Sequence, residues 1–274
     1  YYIPMLSNSI RKNTIRKARK IEMAKVITVA NQKGGVAKTT TTGALAAGLK
    51  RRGYNVLAVD LDAQGNLTDN VGADAEHETT YELMKGIVRT KEVIQNTEVF
   101  DIIPANLALA SADMEFTATG REYRLKKALE PVMNEYDYII LDTPPTLGIM
   151  TVNAFMVSDE VIIPASGING VKGIVELFKT ITTVKEFGNS KLTVAGILLT
   201  MYNPRAIINQ NIKELAESIG AATGIHIYKT FIRTSVSVDE ATATGKDIFS
   251  YNEKNNVAVD YNNFIDEYLK GEQE

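Results

Sequence analysis

The stretch VANQKGGVAKTTTT, Val29 to Thr42, begins inside the β-branched run KVITVA and runs straight into TTTTGALAAGLKRRG, an amphipathic segment that closes on Gly53 as a helix C-cap. Strand, glycine turn and helix in that order aim backbone N–H groups and a helix N-terminus at one point, the setting for holding an anion. The stretch still departs from the pattern G-x-x-x-x-G-K-[ST]. Ala37 precedes the lysine where glycine is usual, Gln32 stands six places before it, and a second lysine, Lys33, lies ahead of the glycines. On this reading Gly34 and Gly35 supply the turn and Val36 and Ala37 complete the loop. Lys38 reaches the β- and γ-phosphates of a nucleotide, Thr39 places its hydroxyl on Mg²⁺, and Thr40 touches the α-phosphate. By itself the same stretch also reads as an ordinary capped helix start.

Two carboxylate sites downstream weigh against that plainer reading. VLAVDLDAQGN ends a strand with Asp60 and Asp62, which alternation points the same way, out of the carboxyl end where ligands bind in open α/β sheets. YDYIILDTPPTLG is an apolar strand ending in Asp142, the form of a Walker B strand whose aspartate holds Mg²⁺. Any one of these aspartates could cap a turn, but three strand ends in this order converge on one crevice.

The rest of the chain repeats the alternation. Strand candidates KVITVA, NVLAVDL, FDIIPA, DYIILD, EVIIPA, LTVAGILLT and HIYKTFI are separated by helical stretches such as REYRLKKALEPVMNEY, VKGIVELFKTITTVKEF and INQNIKELAESIG. Near-continuous apolar strands predict a mostly parallel twisted sheet with helices on both faces, and with the glycine loop this α/β arrangement resembles the P-loop NTPase fold. The 274 residues show no repeat and no Pro/Gly/Ser linker, so one domain is expected over 23–274. No apolar run approaches the ~20 residues of a membrane span. Cysteine is absent, which excludes thiolate metal sites and cysteine nucleophiles and fits a reducing cytoplasm; His77 and His226 are the two histidines, too few for a multi-histidine zinc site. Residues 1–22 carry six cations against Glu22, a charge of +5 that leaves −8 for the remainder of a chain with net −3. This segment reads as a basic extension, either a phosphate-tracking tail or a solvated appendage.

Together, KGGVAKTTTT, DLDAQGN, ILDTPPTLG and GILLTMYNPR make the chain from Met23 onward resemble the ParA/Soj family of deviant Walker-A ATPases, which segregate plasmids and chromosomes. The resemblance gives Lys33 a purpose. In that family this lysine crosses an ATP-sandwich homodimer to touch the partner's nucleotide, much as an arginine finger does. It likewise implies that Lys33, Lys38, Asp62 and Asp142 act in catalysis, with Asp62 orienting the attacking water. Thr39, Asp60 and Asp142 are assigned to the Mg²⁺ shell, Thr143, Pro144 and Pro145 to a second switch, and Asn203 to the adenine. Ala37 stands where relatives more often have glycine, and its methyl is expected to weaken or slow nucleotide handling.

The implied partners are nonspecific double-stranded DNA and a ParB-like adaptor, with no membrane, in a cytoplasmic, nucleoid-associated setting. The acidic stretch DYNNFIDEYLKGEQE contrasts with the basic amphipathic helix by which MinD-type relatives lie on lipid. Ser237 occupies the place of an arginine that helps relatives bind DNA, so Arg233, Lys229, Lys246 and Arg205 become the DNA-binding candidates. PASGINGVKG, Pro164 to Gly173, also differs from relatives in length and lacks their usual glutamate. Two further readings remain: an ATP-switched DNA-binding regulator or protein-cargo scaffold, and a metabolic kinase-like P-loop enzyme, in which Lys33 would have no evident use.

Overall fold

The apolar runs alternate between two faces of one sheet. In the computed structural model, which describes residues 23–272, the strands are β1 (Lys25–Val29), β2 (Val56–Asp60), β3 (Gln95–Asn96), β4 (Asp101–Ile103), β5 (Tyr138–Asp142), β6 (Glu160–Ala165) and β7 (Thr193–Leu199). They lie in the order β3-β4-β2-β5-β1-β6-β7, parallel throughout except for the short edge pair β3–β4. Ile27, Ala58 and Ile140 pack into one core, while Val26, Leu57, Val59, Ile139 and Leu141 pack into another on the opposite face. This is why the strands read as nearly continuous hydrophobic sequence.

The helices that cover these faces are α1 (Lys38–Arg51), α2 (Asn66–Asn70), α3 (Thr80–Lys85), α4 (Thr90–Val93), α5 (Ala112–Glu115), α6 (Arg124–Leu129), α7 (Ile149–Val157), α8 (Gly167–Phe187), α9 (Ile207–Thr223), α10 (Ser237–Ala243), α11 (Ile248–Asn252) and α12 (Asn256–Gly271). Helix α1 lies between the sheet and α12. The Thr41 hydroxyl is 3.0 Å from the buried Tyr261 hydroxyl, and Gly48 lets Ile265 approach so closely that a Cβ there would fall 2.2 Å from its Cδ1. At the opposite end of β1, Lys25 pairs with Glu160 at 2.8 Å and with Glu272 at 2.6 Å, next to the Tyr268 hydroxyl. The described residues form a single α/β domain.

Three local expectations are corrected. HIYKTFI is not a strand: it touches the sheet through one bridge, Ile197 to Ile227, and through backbone bonds of His226, Tyr228 and Ile232. REYRLKKALEPVMNEY is not one helix but 3₁₀ turns flanking six α-helical residues, with Pro131 in the second turn. Helix α8 starts at Gly167, so most of PASGINGVKG belongs to its first two turns. The basic extension over 1–22 lies outside the described residues. Among those residues no helix is long and apolar enough to cross a membrane.

Candidate functional site

Strands β1, β2 and β5 are neighbours, so their carboxyl ends deliver the loop after Val29, Asp60 and Asp142 to one crevice. Asp60 and Asp142 stand opposite each other in register. The loop from Ala30 to Ala37 is held from three sides. Asn31, only 2% exposed, donates through Nδ2 to the Pro164 and Gly170 carbonyls at 2.8 and 3.2 Å and accepts from the Lys33 amide at 3.0 Å. The Thr200 hydroxyl donates to the Val36 carbonyl at 3.0 Å, and Gly34 faces Pro145. Gly35 has φ 68° and Ala37 has φ 62°, ψ 36°. Left-handed backbone costs an L-residue roughly 1–2 kcal/mol, so Ala37 holds strained geometry that glycine would hold freely.

The first turn of α1 carries the polar groups. Lys38 is buried, and its ammonium donates to the Lys33 carbonyl at 3.0 Å. Burial pushes its pKa down, while Asp142 and Asp62 oppose that shift. The Thr39 hydroxyl donates to Asp142 Oδ2 at 2.7 Å, and the Thr42 hydroxyl meets Asp142 Oδ1 at 3.0 Å. Asp142 is fully buried, and burial together with the facing Asp60 raises its pKa to about 8. Burial raises that of Asp60 to about 6 against the bonds it accepts. Val36 is buried against Gly170, Thr40 is half-buried, and Lys33, Gly34 and Gly35 lie exposed at the mouth. Asp62 is half-buried, and its Oδ1 accepts from the Gln64 amide at 3.1 Å.

Three assignments read differently in the structure. Asp60 is turned inward: one oxygen accepts from the Thr68 hydroxyl and amide at 2.8 and 3.0 Å, the other from the Asp62 amide at 3.1 Å. Both of its oxygens are thus bonded to the loop after β2 and to α2, beside the facing Asp142. Asn203 lies exposed in an Asn-Pro turn, with its Oδ1 accepting from the Arg205 amide at 3.0 Å. The Arg233 guanidinium is forked onto the nearly buried Asp260 at 2.8 and 2.7 Å, so its charge is already matched. Lys229 and Arg205 are exposed, and Lys246 borders a small cavity of about 50 Å³ beside Thr39 and Thr40. Asn31, Thr42, Thr68 and Thr200 were not singled out in the sequence; the signal for Asn31 and Thr200 was a polar residue just past an apolar strand, and for Thr42 and Thr68 a threonine in the helix that follows the loop.

Among the described residues no three His, Cys, Asp or Glu side chains cluster as a metal cage. One hydroxyl and one buried carboxylate, Thr39 and Asp142, instead suit a hard octahedral cation that takes its other ligands from phosphate and water.

A family model described as an AAA domain matches residues 24–194. Sporulation initiation inhibitor protein Soj of Bacillus subtilis is 40% identical over 246 residues, which is 87% of this chain and 96% of that protein. Chromosome partitioning protein ParA of Myxococcus xanthus is 35% identical over 245 residues, covering 87% and 86%. Among solved structures, cobyrinic acid a,c-diamide synthase from Mycobacterium smegmatis with bound ATP analog and magnesium superposes with a TM-score of 0.79 at 30% identity, covering 91% of this chain and 96% of that one.

Proposed function

Because the chain belongs to the ParA/Soj family of P-loop proteins, we propose that it is a slow, Mg²⁺-dependent ATPase that partitions DNA or a related cargo. The observation that carries this reading is the convergence at one glycine loop of two bonded pairs, the Lys38 ammonium on the Lys33 carbonyl and the Thr39 hydroxyl on the buried Asp142, with Lys33 left exposed beside them. Amides from Gly34 to Thr40 would cradle the phosphates, and Lys38 would leave the Lys33 carbonyl to meet the β- and γ-oxygens. Thr39 and Asp142 would hold the Mg²⁺, which supplies charge neutralisation on the phosphates when bound. Asp62, on the exposed side of the β2 loop, would orient the attacking water.

With its amide and carbonyl held in the loop and its side chain exposed, Lys33 would extend its ammonium toward a second copy of the chain. In this reading nucleotide and dimer form one equilibrium, and the dimer presents each basic surface twice, to duplex DNA and to a ParB-like adaptor. Arg205, Lys229 and Lys246 remain candidates for the DNA face, and a cytoplasmic, nucleoid-associated location follows from it. The test is ATP turnover with and without duplex DNA, using Lys38→Ala as the blank. Turnover above that blank, raised by DNA together with an adaptor, is expected. ATP binding by Lys38→Ala as tight as by the parent would overturn the site, and turnover indifferent to DNA and adaptor would favour the regulator or scaffold reading.

A further inference from the structure

The segment Asp142–Gly148 joins the cation-binding end of β5 to helix α7, and it is pinned at both ends. At its start the Thr143 hydroxyl donates to the Val29 carbonyl at 2.9 Å, and midway Pro145 faces Gly34 of the phosphate loop, its Cβ 3.9 Å from where a Cβ on Gly34 would stand. At its far end the pin comes from elsewhere in the chain. Asp113, on the short helix α5, accepts the Ile149 amide at 2.7 Å through Oδ1 and so caps the first turn of α7. Its carboxylate lies directly over Gly148, where an added Cβ would fall 2.6 and 2.8 Å from the two carboxylate oxygens. Gly148 has φ −79°, a value any residue adopts, so what a larger residue there would meet is the Asp113 carboxylate, which would have to move aside, and not a backbone restriction.

We propose that Asp113 is a positioning residue for ATP turnover: by capping Ile149 over Gly148 it fixes the far end of the Asp142–Gly148 segment against the phosphate loop. This rests on the ATPase reading above. Nucleotide affinity comes from the loop amides, Lys38 and the α1 N-terminus, none of which touches Asp113. Its loss therefore reaches the placement of Pro145 and the residues after Asp142, where a small displacement acts on the rate and leaves ground-state binding alone.

The test uses the full chain with Asp113→Ala, Asp113→Asn, Gly148→Ala and the double variant Asp113→Ala/Gly148→Ala. Asp113→Ala should lower kcat by about tenfold, with KM and ATP affinity within about twofold of the parent. Asp113→Asn should restore the rate, because asparagine caps a helix as well as aspartate does. Gly148→Ala puts a methyl where the carboxylate sits and should reproduce the loss, and the double variant should be no slower than the worse single one. Hydrogen exchange at Ile149, measured without nucleotide, should quicken in Asp113→Ala and not in Asp113→Asn. Failure of the parent to hydrolyse ATP would count against the ATPase reading, and the exchange measurement would then decide the pin by itself. A parental kcat in Asp113→Ala, fully additive single and double losses, or unchanged exchange at Ile149 would overturn the inference.

Discussion

Replacing Asp142 with asparagine should make the nucleotide-free protein more stable at pH 8 while removing its response to Mg²⁺ and ATP. Asp142 and Asp60 are fully buried, face each other across adjacent strands, and have pKa values raised to about 8 and about 6 from an ordinary 3.8. A raised carboxyl pKa means that the folded state holds the proton longer than the unfolded chain does. No penalty exists below about pH 4, where both states are protonated, and stability is lost as the pH climbs from there through 6 and 8. At ~1.4 kcal/mol per unit, Asp142 alone sets a ceiling of roughly 5 kcal/mol at pH 8. Asparagine keeps an acceptor for Thr39 or Thr42 but gives up the attraction to Lys38, which trims the gain to about 2 kcal/mol, or ~4–8 °C in Tm for a domain of this size. Thermal unfolding followed by circular dichroism in metal-free buffer at pH 5 and pH 8 reads this directly. Asp142→Asn should gain over the parent at pH 8 and gain much less at pH 5. Equal or lower stability at pH 8 would show that the carboxylate pair is not a liability in the empty site.

Asp62→Ala should bind ATP as the parent does and hydrolyse it ~10²-fold more slowly, since this group is assigned to the water and not to the phosphates; unchanged single-turnover rates would move that role elsewhere. Lys33→Ala should keep nucleotide binding but weaken ATP-dependent dimerisation by ~10-fold or more, and a full dimer mass by light scattering would reject a lysine acting across subunits. Arg233→Ala should cost ~1–2 kcal/mol of stability by stranding Asp260, yet leave the salt dependence of DNA binding unaltered. A log–log salt slope flatter by about 2 for a dimer would return Arg233 to the DNA face.

What could be read from the chain was whatever lies in short local patterns. The phosphate loop, the Asp142 strand and six strands of the sheet follow from alternation and from glycine and proline placement within a dozen residues. The inward turn of Asp60 depends on Thr68 in the next helix, and the occupation of Arg233 depends on Asp260, 27 residues later; neither pairing leaves a mark in the local sequence. HIYKTFI has the composition of a strand, but β7 offers it pairing at only a few backbone groups, so tertiary context overrides propensity. The edge strand β3 was missed because its two residues carry no periodicity.

The packing of α1 between the sheet and α12 also has a consequence for synthesis. The helix that opens the phosphate site is covered on its outer side by Tyr261 and Ile265, and Thr41 meets Tyr261 across 220 residues of chain. A nascent polypeptide that has already made every residue of the site still exposes the apolar flank of α1 until residues 256–271 leave the ribosome. Loop closure over that separation comes late and slowly. Nucleotide-binding competence should therefore arrive in one step once α12 has emerged, and nascent chains stalled before α12 should be the ones that chaperones hold.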